Sequence, residues 1–174
     1  YQLPKDAVVI LRVYLFANLA YSIAFKHIAV LDILFVAGFY VLRVSMGAIT
    51  GQVAISGWLL LATIFAALFL IIGKRKAELL NSKARGVLNL YSEEFLTSLM
   101  TISVSLLLAV YGIYTVLVMQ SHLGVYSIFF VFLAVLRYFY SSYQRQNKHE
   151  QPEQAVFHDP WIVLSVIFWI IFMY

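Results

Sequence analysis

Apolar runs long enough to cross a lipid bilayer follow one another along this chain with only short polar breaks, and nothing else in the sequence constrains its fold as tightly. They fall near 7–25, 29–48, 54–72, 95–118, 123–140 and 161–174. A spanning helix takes about 20 residues, so 174 residues hold about six spans with short connections. Only 11% of the residues are charged and 63% are hydrophobic, against about 25% charged in an ordinary soluble domain. A water-soluble fold could not hide so much apolar surface. The expected fold class is therefore all-α, a polytopic transmembrane helical bundle forming one integral membrane domain over 1–174. The last run has 14 residues, about 21 Å at 1.5 Å per residue, and is expected to be tilted or shallow.

The connections alternate in character. Those at 26–28, 73–94 and 141–160 are polar, whereas 49–53 and 119–122 hold no charge. Nine of the twelve Lys and Arg residues lie in or beside the polar set: Lys26, Lys74, Arg75, Lys76, Lys83, Arg85, Arg137, Arg145 and Lys148. Because basic residues favour the cytoplasmic side, the polar loops are expected to be cytoplasmic and the chain multi-pass in the plasma membrane. The net charge of +4 is then an orientation signal, and nucleic acid is not an expected partner. Cysteine is absent, which excludes disulfides and thiolate metal sites. The four histidines show no ligand spacing, so no zinc site is expected.

Chemistry can sit in few places. Gly73-Lys74-Arg75-Lys76-Ala77-Glu78 puts three consecutive cations at the end of a span, and Arg and Lys suit phosphate oxygens by fork geometry and compact charge. The alternative is a plain interfacial anchor, the usual role of such clusters. Asp32 and Arg43 lie about three turns apart on one face of the second span. An ionisable group within a span usually faces a bundle interior or wet cavity, which makes Arg43 a candidate; the alternative is snorkelling to the interface. Arg12, also within a span, reads as structural. Tyr21, Ser22 and Lys26 close the first span, and Arg137-Tyr138 and Asp159 bring polar groups to the same membrane face. Gly47 and Gly51 form a GxxxG pattern that permits close helix packing.

Taken in order, Tyr21-Ser22, Phe25-Lys26 and Asp32, Leu42-Arg43 with Gly47, Ser56-Gly57-Trp58-Leu59-Leu60-Leu61, Ala67-Leu68-Phe69-Leu70 and Gly73-Lys74-Arg75 with Ala77-Glu78-Leu79 resemble decaprenyl-phosphate phosphoribosyltransferases of the UbiA prenyltransferase superfamily. Leu88-Tyr91-Ser92, Tyr111 and Leu136-Arg137-Tyr138 continue the likeness. The resemblance implies a nine-helix membrane fold whose cytoplasmic cavity moves phosphoribose from phosphoribosyl diphosphate to a polyprenyl phosphate, feeding arabinose donors for cell-wall polymers. It also implies roles. Lys74, Arg75 and Glu78 would be catalytic, with Lys74 and Arg75 on the diphosphate or lipid phosphate and Glu78 orienting the cations or the ribose. Tyr21, Lys26, Arg43 and Arg137 would bind substrate. The family's NDxxDxxxD motif, which holds magnesium and the diphosphate, is not in this sequence. The chain is expected to correspond to the last six of nine helices, with Mg2+ required by the complete enzyme, its main ligands elsewhere, and a separate or missing N-terminal half as a possible partner.

Three other readings stand beside this one. Prenyl transfer to an aromatic acceptor usually comes with a second aspartate-rich motif, where this chain has Lys74-Arg75-Lys76-Ala77-Glu78. A small transporter or structural subunit would betray inverted repeats or broken helices, and the sequence has neither. The third is a fragment inactive by itself.

Overall fold

A computed structural model describes residues 4–80, 86, 90–119, 122–144 and 159–173; Lys83, Arg85, Leu88, Arg145, Lys148, His149 and His158 lie outside them. The described residues form helices with no strand among them: α1 (Lys5–Ile23), a short 3-10 turn (Phe25–His27), α2 (Leu31–Thr50), α3 (Gly57–Leu80), α4 (Glu93–Tyr114) running into a π-helical turn (Thr115–Met119), α5 (His122–Gln144) and α6 (Pro160–Met173). Five are long and apolar enough to cross a membrane. The chain is a multi-pass, all-α membrane protein. The sixth helix, α6, is apolar but shorter, with 14 residues.

Several helix starts are written locally. The Ser56 hydroxyl accepts the Leu59 N–H at 3.1 Å and the Ser92 hydroxyl accepts the Phe95 N–H at 3.1 Å. Asp159 accepts the Trp161 N–H at 3.0 Å, ahead of Pro160 at the first helical position. These side chains satisfy amide groups that a helix start leaves orphaned, and Pro at that position sacrifices no bond. Outward positions carry large apolar side chains such as Leu15, Phe16, Phe129 and Ile171, the surface that lipid covers.

The helices pack mainly against their sequence neighbours, α1 on α2, α2 on α3, α3 on α4, α4 on α5 and α5 on α6. The buried core gathers around α3 and α4, with Ile33 and Ala37 of α2, Phe69 and Ile72 of α3, Leu96 and Met100 of α4, Tyr138 of α5 and Ile162 of α6. At the end of the bundle holding the uncharged connections, a hydroxyl cluster ties α4, α5 and α6. Trp169 Nε1 donates to the Tyr111 hydroxyl at 2.7 Å, and Tyr111 pairs with Ser127 at 2.6 Å. Since Ser127 donates its own proton to the Gly124 carbonyl, Tyr111 is the donor in that pair. Among the described residues the GxxxG pattern meets no other helix: a Cβ at Gly47 would meet nothing within 4 Å, and one at Gly51 would meet chiefly Gly47's own carbonyl.

Gly73 does make a close approach. A Cβ there would stand 2.6 Å from the Tyr138 hydroxyl and 3.4 Å from Cε1, and Tyr138 is buried and packed on Phe69, ring centroids 5.0 Å apart. Gly73→Ala should destabilise the bundle by about 1–3 kcal/mol through overpacking, with a smaller loss in a Tyr138→Phe background. Thermal unfolding of the four variants in detergent checks this; equal losses in both backgrounds would contradict the contact.

Candidate functional site

The polar end of the bundle is organised by one turn of α3. Successive residues on a helix point about 100° apart, so Gly73, Lys74, Arg75 and Lys76 face four directions. Gly73 faces Tyr138 of α5. Arg75 reaches α2, where its Nη2 donates to Asp32 Oδ1 at 3.0 Å and its Nε stands 2.8 Å from Oδ2. Lys76 reaches α4, donating to the Thr97 hydroxyl at 2.9 Å and standing 3.3 Å from Glu93. Lys74 is exposed. The three cations therefore form no continuous open cradle: Arg75 and Lys76 are buried cross-links between helices, and of the three only Lys74 is on the open surface.

The Arg75–Asp32 pair is nearly sealed, with 8% and 1% of the two side chains exposed. Tyr21 donates to Asp32 Oδ1 at 2.6 Å, and Arg75 Nη1 donates to Glu78 Oε2 at 2.6 Å, one turn along its own helix. One guanidinium thus serves two carboxylates. Its Nε–H is not aimed at Oδ2, which leaves both atoms without a directed hydrogen bond among the described residues. Desolvating such a pair costs several kcal/mol per ion, recovered only through good geometry and further hydrogen bonds. Tyr21 and Glu78 supply those bonds.

Lys26 sits in the 3-10 turn between α1 and α2, half-buried. It makes no hydrogen bond or ion pair with the described residues. The turn is anchored beside it by Phe25, whose ring stacks on Phe35 at 4.4 Å. It is also closed at its base, because the Tyr21–Asp32 bond joins the residues on either side. At its far end the Val30 N–H donates to the Tyr91 hydroxyl at 2.6 Å. Burial raises the Tyr91 phenol above its ordinary value and Asp32 adds to this, against the Val30 hydrogen bond and Arg75, which lower it. Tyr91 is therefore a neutral phenol at physiological pH.

The remaining candidates lie apart. Arg43 donates to Tyr14 at 3.1 Å and stands over the Tyr14 and Tyr40 rings at 5.7 and 5.3 Å. It is eleven residues along α2 from Asp32, about 16 Å by helical rise, and joins α1 to α2 at that depth. Arg137 donates twice to Asp159 Oδ2, at 2.8 and 3.2 Å, and lies 5.5 Å over Tyr140, tying α5 to the start of α6. Arg12 is exposed along an open, apolar trough of about 560 Å³ beside α1, lined also by Val13, Phe16 and Phe35. The trough does not include the ionic network. The structure thus brings together Tyr21 and Arg75 on Asp32 and Glu78 on Arg75, with Lys26 and Lys74 at the same end of the bundle; Arg43 lies deeper, and Arg137 is engaged with Asp159 instead of this network.

The described residues do not make a magnesium site. Asp32 and Glu78 are both turned on Arg75, and no group of three His, Asp or Glu side chains converges among the described residues. Two further contacts join residues that no sequence pattern pairs. Lys76 with Thr97 and Glu93 spans a connection whose length hides the pairing. Tyr91 with Val30 joins a side chain to a backbone amide, and a backbone amide leaves no mark in a sequence.

With this geometry in view, comparison with curated proteins finds the decaprenyl-phosphate phosphoribosyltransferase of Mycolicibacterium smegmatis, 32% identical over 117 residues, 64% of this chain and 37% of that protein. The protein of the same name from Mycobacterium tuberculosis is 31% identical over 119 residues, 66% of this chain and 39% of the relative. That from Corynebacterium glutamicum is 30% identical over 110 residues, 60% and 33% respectively. The chain is similar to these proteins, and the match spans 33–39% of their length. No family model matches it.

Removing one partner of a buried ion pair strands the other, at a typical cost of 3–5 kcal/mol. Asp32→Ala should therefore lower thermal stability in detergent by about that much, and adding Arg75→Met should recover part of the loss. Unchanged unfolding of Asp32→Ala would show that the network does not hold the bundle.

Proposed function

We propose that this chain forms part of a membrane transferase that moves phosphoribose from phosphoribosyl diphosphate to a polyprenyl phosphate. The observation that carries this reading is the likeness, over about two thirds of the chain, to relatives that all bear one activity name. The geometry supports it, since one end of the bundle carries a half-buried Lys26 with no partner among the described residues and an exposed Lys74 beside a buried ionic network. By the positive-inside rule this end faces the cytoplasm of a plasma-membrane protein, where a soluble diphosphate donor and a lipid phosphate can meet.

In the proposed reaction an oxygen of the lipid phosphate attacks the ribose anomeric carbon. The bond from that carbon to the diphosphate oxygen breaks, and diphosphate leaves with the electron pair. Charge on the attacking and leaving groups must be neutralised, and preorganised cations do this at no reorganisation cost. Lys26 and Lys74 carry that role here. Arg75 acts through position: held by Asp32 and oriented by Glu78, it fixes the start of α2 against the end of α3, and with it the separation of the two lysines. Tyr21 supports the same lock, while Arg43 and Arg137 fasten helices at other points. Magnesium, expected from the family, would draw its ligands from outside the described residues, and none of these steps uses it.

A graft tests the reading. The matched residues of this chain replace their counterparts in the Mycolicibacterium smegmatis relative, and transfer of labelled phosphoribose to decaprenyl phosphate is followed in membranes. The graft should be active, and Lys26→Ala or Lys74→Ala within it should lower turnover by at least about tenfold, the order of one lost charge-assisted contact. Near-normal turnover of both lysine variants would overturn the assignment.

A further inference from the structure

Val30 has φ 69° and ψ −45°. A β-branched side chain in this region is a genuine outlier, and such backbone strain costs on the order of 1–3 kcal/mol and persists only where surrounding contacts over-determine it. Here those contacts can be named. The Val30 N–H donates to the buried Tyr91 hydroxyl at 2.6 Å, and the Val30 carbonyl accepts the Leu34 N–H at 3.0 Å as the first bond of α2. Tyr91 is itself 6% exposed and stacks on Phe95 with ring centroids 6.1 Å apart, so the phenol oxygen is fixed by α4. The turn from Ala24 to Val30 is thereby closed from both sides, by Tyr21–Asp32 at its base and by Tyr91 at its strained corner.

We propose that Tyr91 is a positioning residue: its hydroxyl holds Val30 in the left-handed region and so sets where the Lys26 ammonium stands relative to the Asp32–Arg75 pair. This rests, for its functional part, on the reading of Lys26 as a phosphate-binding group. The corner belongs to the α1–α2 connection and the pin to the start of α4, sixty-one residues away in sequence, so the geometry of the phosphate-handling turn is set from a different helix. Valine at this position makes the arrangement conditional. Without the pin, the residue relaxes to negative φ and the turn moves; glycine takes the same corner without strain and so retains it in part without the pin.

The chain contains no cysteine, so His27→Cys gives a single, exposed labelling position beside Lys26. A nitroxide there, in the 174-residue chain in nanodiscs, should be tightly ordered in the otherwise unaltered protein and mobile in Tyr91→Phe. Order should return in part in Val30→Gly with Tyr91→Phe, although no contact of the ring has changed. Retention of decaprenyl phosphate by the unlabelled variants, all with His27, should follow the same order, with Tyr91→Phe about fivefold weaker, the scale of one neutral hydrogen bond. If the label stays ordered in Tyr91→Phe, or Val30→Gly restores none of the lost order, Tyr91 does not position the turn. If the label responds as expected but decaprenyl phosphate is retained equally by Lys26→Ala, the positioning stands and the phosphate reading of Lys26 falls.

Discussion

A carboxylate and a guanidinium taken almost entirely out of solvent, Asp32 and Arg75, set the terms for the rest of this bundle. In lipid, apolar faces gain little by leaving hydrocarbon for one another, and helix association relies on packing and interhelical polar contacts. Ionic contacts at the end of α3 therefore add to apolar packing in fixing which helices sit together. Asp32 and Arg75 join α2 to α3. Tyr21 brings in α1, Lys76 brings in α4, and the bare backbone of Gly73 lets Tyr138 of α5 close over the same turn.

The same economy of groups divides labour among neighbouring cations. Charges that are paired and buried hold the scaffold, and those left half-exposed or at the surface are the ones the proposed function assigns to phosphate. Lys74 and Arg75 are adjacent in sequence and of like charge, yet they belong to these two different classes because of a 100° rotation. In the proposed transferase, a phosphate-binding surface built this way would stay rigid beneath the ammonium groups of Lys26 and Lys74.

Much of this was legible in the sequence. The apolar runs marked the helices because backbone groups in lipid must bond internally, which leaves the helix as the natural spanning form for such segments. Ser56, Ser92 and Asp159 stand where helix starts need a side-chain acceptor. Asp32, Arg75 and Glu78 stood out as ionisable groups at the edge of apolar segments. Their convergence did not, because the residue pattern does not say which helices are neighbours or how each is rotated. Hence three consecutive cations read as one cradle, when two of them turn inward toward different helices. Gly47 and Gly51 carried a packing pattern without a partner helix among the described residues, whereas Gly73, in no recognised pattern, makes the close contact. The Val30 corner was invisible for a different reason, since valine is among the residues least expected at positive φ.

The junction at residues 73–76 also limits how this chain can vary in length. Each of three helices is registered to a different residue of a single turn, so inserting or deleting one residue in α3 ahead of Gly73 would rotate the junction by about 100° and break all three contacts together. Substitutions among apolar residues in the upstream half of α3 leave those directions unchanged. The lipid-facing positions of that helix are free in composition while its length is fixed, a stricter demand than the bilayer alone places on a span.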